Sequence, residues 1–239
     1  MKPEEVERLY DREYVASYDA KFLTSELSAA DTEVETRLLR SYLRPGDRWL
    51  DAGCGTGWYL SRFPDVERVG IDLSPAMLER ARAVNPGVDL RRHDFREPIP
   101  EWRDAFDLVS CMWYAYTYVD TLDEVCRVID NLTAWTSPSG RCFVPLADPE
   151  GIARTKLPYR VDNVHPGQVT VTGILWSYAE EGSKVHRNLV TPHLDFMVGE
   201  FSRRFRKVRI IRYHGGDSRP ALVAHGKRGP ERARRWRRG

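Results

Sequence analysis

The stretch Arg48-Trp-Leu-Asp-Ala-Gly-Cys-Gly-Thr-Gly-Trp58 runs a short apolar strand into three alternating glycines. Gly53, Gly55 and Gly57 allow backbone dihedrals closed to other residues and leave no Cβ between the chain and whatever lies against it. The reading is a nucleotide-binding turn, after which the pattern predicts an amphipathic helix. A dinucleotide fingerprint would need a glycine where Trp58 stands. No Lys-Ser/Thr follows the glycines, so a phosphate-cradling loop is excluded.

Asp51 discriminates further. A carboxylate there repels a pyrophosphate but suits the cationic aminopropyl end of a sulfonium nucleoside, so S-adenosylmethionine outranks NAD. The next strand, Arg68-Val-Gly-Ile-Asp72, ends in an acid about 20 residues beyond the first turn, as ribose recognition requires. Ser74-Pro75 then reads as an N-cap followed by proline at the first helical position, with helix continuing to Val84. A third strand, Val88-Asp-Leu-Arg-Arg, reaches His93-Asp94-Phe95, where a carboxylate can accept from an adenine amino group and an aromatic ring can lie beside it.

On these residues the chain resembles the class I S-adenosylmethionine-dependent methyltransferases, over about residues 48 to 146. The resemblance implies a Rossmann-like, doubly wound α/β sheet of seven strands, mostly parallel with an antiparallel last strand. It puts the glycine loop at Asp51, Gly53, Gly55 and Gly57, the ribose acid at Asp72, the adenine-site acid at Asp94, and apolar adenine contacts at Leu73 and Phe95. Met112, at the end of the fourth strand, joins this cofactor set. Beyond the core the chain is similar to small-molecule enzymes of secondary metabolism, including those that N-methylate nucleotide-linked amino sugars.

The resemblance also gives the N-terminus a role. Residues 4 to 22 read as one helix with Tyr10, Tyr14 and Tyr18 on a shared face. Such a stripe is either a docking face or, as in this family, a lid over the cofactor, with Tyr18 meeting the methionyl carboxylate. A helix over 32–42 ends before Arg44-Pro-Gly. The fourth strand, Phe106 to Met112, opens onto Trp113-Tyr-Ala-Tyr-Thr-Tyr118, an aromatic loop where ligands of open α/β sheets sit. It is not the Asp/Asn-Pro-Pro-Tyr/Phe of enzymes that methylate nucleic-acid bases. A helix over 123–133 and a fifth strand over 141–146 follow. Residues 168 to 178 and 184 to 190 form an inserted antiparallel hairpin that shapes the acceptor pocket or a dimer contact. Thr191-Pro192 starts another helix, and strands at 208–213 and 221–225 close the sheet.

Amine methylation needs little beyond near-attack positioning, whereas a hydroxyl acceptor gains from a base. His193 is the first candidate, with Tyr114 as its companion, ahead of His186 and His165. Alternatives remain: an RNA methyltransferase, transfer of the aminocarboxypropyl group, and a non-catalytic cofactor-binding partner protein.

Composition bounds the rest. A chain of 239 residues, 41% hydrophobic, fits a single domain over 1–228, with a helical lid at 1–44 and an insertion at 150–190. No apolar run approaches membrane-spanning length and Met1-Lys-Pro-Glu-Glu is not a signal peptide, so the expectation is a cytoplasmic protein, off the membrane. The cysteines at 54, 111, 126 and 142 lack metal spacing and read as reduced thiols, and no metal is expected. Residues 227–239 hold seven basic residues against one acid, leaving about −4 on the rest of a chain of net +2. The tail at 229–239 reads as a disordered solubilising end or a nucleic-acid or membrane contact. Arginine outnumbers lysine 31 to 6 throughout, so the bias is global. The acceptor is expected to be a small molecule rather than nucleic acid.

Overall fold

Why the chain builds a sheet buried on both faces is plain at its first strand. The computed structural model describes residues 1–26, 28–164, 167–180, 183–214 and 218–229, with the backbone alone at 162–164 and 214. In β1 (Arg48–Ala52), Trp49 and Leu50 point to opposite sides and enter two separate cores. Around it lie β2 (Glu67–Asp72), β3 (Asp89–Arg92), β4 (Phe106–Ser110) and β5 (Thr136–Pro145), all parallel where they pair. Strands β10 (Phe205–His214) and β11 (Ser218–Lys227) form an antiparallel ribbon, and β11 pairs antiparallel with β5. The order is β10-β11-β5-β4-β1-β2-β3, the Rossmann-like sheet of seven strands anticipated from the sequence. Strand order reverses between β1 and β4, and the crevice there is where an open α/β sheet binds its ligand.

The helices that cover the two faces follow their caps. On one face α3 (Ala29–Tyr42) and α4 (Pro75–Val84) bury Leu39, Leu78 and Ala81 with Trp49 and Leu108. Ser74 caps α4 as its spacing predicts, accepting the Met77 N–H at 3.2 Å. On the other face α5 (Leu122–Trp135), capped by Thr121, and α7 (Leu194–Ser202) seal Leu50, Ile71 and Val109. Among the described residues no helix is long and apolar enough to cross a membrane.

Five local expectations need correction. The glycine loop opens only a 3-10 turn, Leu60–Arg62, because Pro64 stands too close behind it for a further hydrogen-bonded turn. The single N-terminal helix is two, α1 (Pro3–Leu9) and α2 (Arg12–Tyr18), broken where Asp11 leaves the helix and caps α2 through the Tyr14 N–H at 2.9 Å. A π-helical turn, Asp19–Leu23, then extends α2. Strand β5 starts at Thr136, ahead of the expected Arg141, and absorbs Pro138-Ser-Gly in a register shift against β4. The insertion holds α6 (Pro149–Ala153) and two hairpins in place of one: β6 (Arg160–Val164) with β7 (Gly167–Thr170), and β8 (Gly173–Ala179) with β9 (Val185–Pro192). Finally, Thr191-Pro192 closes β9, and the cap of α7 is His193. The β8–β9 turn beyond Glu180, His165 and the tail past Gly229 fall partly or wholly outside the described residues.

Gly57 locks this scaffold, with φ +72° and no space for a side chain: a Cβ at this position would lie 2.5 Å from Asn85 Nδ2 and 3.1 Å from the Ala81 Cβ. Asn85 in turn donates to the Gly57 carbonyl at 3.0 Å, tying loop to α4. Gly57→Ala is expected to lower stability by about 1–3 kcal/mol through this strain and clash, read as a fall in Tm by thermal denaturation.

Candidate functional site

A cleft lies over the β1/β4 crevice, the place where an open α/β sheet binds its ligand. Its floor is Gly53 and Gly55, its sides Asp72, Leu73, Met77, Asp94 and Phe95, and its roof Val6, Tyr10 and Tyr18. A smaller cavity continues around the glycine loop to Asp51, Thr56 and Tyr59, sharing Tyr18, Gly53, Gly55, Met112 and Trp113 with the first. The glycines are required by space as well as by dihedral: at Gly53 (φ +78°) a Cβ would come 2.8 Å from the Ala115 Cβ.

Asp72 closes the end of β2. One of its carboxylate oxygens accepts the Gly55 N–H and the other the Ser74 N–H, both at 2.8 Å. Burial pushes this acid up while those backbone donors oppose the rise. Each oxygen retains a lone pair on the cleft side, the arrangement two ribose hydroxyls need. Asp51 lies deeper, accepting the Ser110 hydroxyl at 2.7 Å, itself held by Trp49 Nε1 at 2.8 Å. Burial pushes Asp51 to about 7, against the Ser110 hydrogen bond and with the Asp72 charge adding to the rise.

At the third strand end, burial of Asp94 is outweighed by the Arg96 guanidinium, which grips both oxygens at 2.7 to 3.0 Å and holds the carboxyl below its usual range. Arg96 is itself buried and reaches Glu124 at 3.2 Å. It is a residue the sequence pattern did not single out, although an acid and an arginine two apart at a strand end is a visible signal. Phe95 lies beside Asp94 on the cleft wall.

The base candidates sit elsewhere. His193 Nδ1 accepts the Asp195 N–H at 3.2 Å, and Nε2 lies 3.1 Å from the Leu157 carbonyl, to which it donates. Its ring stacks on Tyr159 at 5.0 Å. With both nitrogens engaged and no share in the cleft lining, His193 is a helix cap. Tyr114 adopts φ +61° in the aromatic loop and has no share in the cleft lining, and burial pushes its phenol up to about 12. Its neighbours take the cleft wall: Trp113 and Tyr118 line it, and Tyr118 reaches His186 Nδ1 at 2.8 Å. Of the two histidines, His186, placed behind His193 on sequence grounds, is nearer the cleft, one hydrogen bond behind Tyr118, while His93 lines the cleft itself.

Two outcomes are expected from these acids. Asp72→Ala should cost about 1.5–3 kcal/mol of S-adenosylmethionine affinity by calorimetry, with a melting curve confirming the fold. For Asp51, the folded carboxyl is raised above its unfolded value, so the penalty of holding it ionised is absent near pH 4 and complete above about 7. A cationic ligand that needs it ionised should therefore bind more tightly as pH climbs from 5.5 to 7.5, by up to about tenfold per unit at the acid end. Asp51→Asn should bind more weakly with a flat profile over that window.

The profile of the methyltransferase domain family matches residues 50–140. The chain is 31% identical over 144 residues to the dTDP-4-amino-2,3,4,6-tetradeoxy-D-glucose N,N-dimethyltransferase of Saccharopolyspora spinosa, covering 57% of this chain and 55% of that protein. The chain spans about half the length, or less, of the curated relatives it matches. In fold it is similar to Streptomyces venezuelae DesVI (TM-score 0.63, 22% identity, 90% of this chain and 99% of that one). It is similar too to SAM-bound CalS10, an amino pentose methyltransferase from Micromonospora echinaspora (TM-score 0.59, 23% identity, 92% and 98%). Sheet order, glycine loop, strand-end acids and family match agree: residues 50–140 carry a methyltransferase domain, set in the seven-stranded Rossmann-like sheet of the class I S-adenosylmethionine-dependent fold.

Proposed function

We propose that the protein transfers a methyl group from S-adenosylmethionine to the amino nitrogen of a small polar acceptor, a nucleotide-linked amino sugar. The observation that carries this reading is the cleft itself. It supplies a bare-backbone floor, a strand-end acid at each of three positions, and a tyrosine-lined roof. The kinship with an amino-sugar N,N-dimethyltransferase supports the acceptor class.

When bound, S-adenosylmethionine supplies a methyl carbon made electrophilic by its sulfonium. The chain's own residues do the rest. Asp51 and Asp72 present negative charge to the cationic and ribose ends, Asp94 and Phe95 flank the base, and Tyr10 and Tyr18 cover the cleft and exclude water. An amine acceptor held at near-attack distance needs no further activation, which fits a site whose sequence-ranked base is a helix cap. The acceptor is thus a small molecule, nucleic acid is not required, and buried free thiols at Cys54, Cys111 and Cys142 fit a reducing cytoplasm.

Calorimetric titration with S-adenosylmethionine, S-adenosylhomocysteine and NAD tests the cofactor, and incubation with dTDP-4-amino-2,3,4,6-tetradeoxy-D-glucose tests the acceptor. The expected outcome is binding of the first two only, and a mass gain of one or two methyl groups on the sugar nucleotide. NAD binding, or a product carrying an aminocarboxypropyl group, would refute the reading.

A further inference from the structure

Near-attack positioning suffices for a neutral amine, but an aliphatic amine is an ammonium at neutral pH, as lysine is, and an ammonium has no lone pair for a methyl carbon. A group at the cleft must take its proton first. Tyr118 lines the cleft and shares its wall with Tyr18, Met112 and Trp113, residues common to both cavities. It is also the near end of a hydrogen-bonded chain: its hydroxyl lies 2.8 Å from His186 Nδ1, and His186 Nε2 lies 2.9 Å from Glu180 Oε1.

The chain has one consistent arrangement of hydrogens. Burial raises Glu180, but the Lys21 ammonium, the Tyr14 hydroxyl and His186 outweigh it and hold the carboxyl below its usual range. An ionised carboxylate only accepts, so Nε2 carries the ring hydrogen. In the neutral ring Nδ1 is then a bare acceptor, and the Tyr118 hydroxyl donates to it. Tyr10, just past α1, donates to the same phenol oxygen and leaves it one uncommitted lone pair. Burial pushes the Tyr118 phenol up to about 12, against that hydrogen bond. Such a phenol does not ionise by itself near neutral pH; it accepts a proton only by passing its own to Nδ1. The groups facing Tyr118 and His186 are Tyr10, Tyr14 and Tyr18 from the roof and Tyr178 and Glu180 from the end of β8, with Lys21 paired behind Glu180. His186 is 4% exposed, and a positive charge formed on its ring meets the carboxylate that orients it.

We propose that Tyr118 is the catalytic proton acceptor for the acceptor's ammonium, and that His186, oriented by Glu180, takes the proton Tyr118 gives up. This rests on the reading of the protein as an amine methyltransferase. An ammonium N–H breaks as its hydrogen joins the Tyr118 oxygen, and the Tyr118 O–H breaks as its hydrogen joins His186 Nδ1. The lone pair so released forms the C–N bond while the C–S bond breaks and leaves its electron pair on sulfur. After the cleft opens, the proton returns from His186 through Tyr118 to water, and the chain is ready to deprotonate the methylammonium for a second transfer.

Two measurements test this. Nitrogen-15 NMR of the histidine-labelled protein without cofactor, with the His186 signals identified by their loss in His186→Gln, should show hydrogen on Nε2 and a bare Nδ1 that shifts in Tyr118→Phe. Hydrogen on Nδ1 overturns the proposal. The second follows kcat/KM for dTDP-4-amino-2,3,4,6-tetradeoxy-D-glucose against pH at saturating S-adenosylmethionine. Tyr118→Phe and His186→Gln can use only acceptor already neutral in solution, a fraction that falls about tenfold per unit below its pKa. Both should therefore drop about tenfold or more below the parent near pH 6.5 and approach it near pH 9.5, with S-adenosylhomocysteine affinity retained. Profiles parallel to the parent's, with or without a uniform loss, leave these residues a structural role and overturn the proton acceptor alone. If the parent does not methylate the sugar at any pH, the amine reading fails and the proton acceptor fails with it.

Discussion

The Asp72 carboxylate is the tie on which the site depends. By accepting the Gly55 and Ser74 N–H groups at once, it fixes the glycine loop against the end of β2 and sets the first turn of α4. An aspartate is the side chain short enough to reach both backbones from a strand end while presenting its remaining lone pairs to the cleft. Removing it would leave two donors without their acceptor and would loosen the floor as well as the ribose contact. For that reason structural and binding roles at this residue cannot be separated by one substitution alone, and the melting curve belongs with the affinity.

Charge explains the selectivity of the floor. Asp51 and Asp72 face one continuous hollow, with no lysine or arginine among the residues that line its deeper part. Burial, with the Asp72 charge adding to it, holds Asp51 near 7, so below that pH the carboxyl takes up a proton that a cationic ligand would expel. A dianionic pyrophosphate meets the opposite response. The discrimination between a sulfonium nucleoside and a dinucleotide is therefore built into the acids, before any contact with the base is counted.

What the sequence disclosed and what it hid divide along a physical line. Elements set by local rules were legible: the Ser74-Pro75 start of α4, the glycine turn, the acids at strand ends and the antiparallel closing strand. Elements decided by tertiary competition were not. The tyrosines at 10, 14 and 18 do cluster, with Tyr10 and Tyr18 6.0 Å apart, but across a break that Asp11 makes favourable by capping. His193 looked available because its spacing shows neither partner: the Asp195 N–H reaches Nδ1 only through the cap geometry. The carbonyl of Leu157 that engages it lies 36 residues away. Glu180 carried no signal at all, since an acid in a turn between two strands is ordinary until the fold brings Tyr14, Lys21 and His186 around it.

That last convergence bears on how the site handles charge as a whole. Four carboxylates lie at or near the cleft, Asp51, Asp72 and Asp94 within it and Glu180 beyond the roof, and the chain pairs Asp94 with Arg96 and Glu180 with Lys21. Asp51 is instead left to take up a proton. The difference follows from geometry: the floor is formed by backbone and short side chains of the sheet edge, with no room for a lysine stem, whereas the roof is made of a helical turn whose side chains can swing. The deep acids are left to meet a cationic ligand's charge directly, while the outer carboxylate is satisfied within the chain by Lys21, Tyr14 and His186.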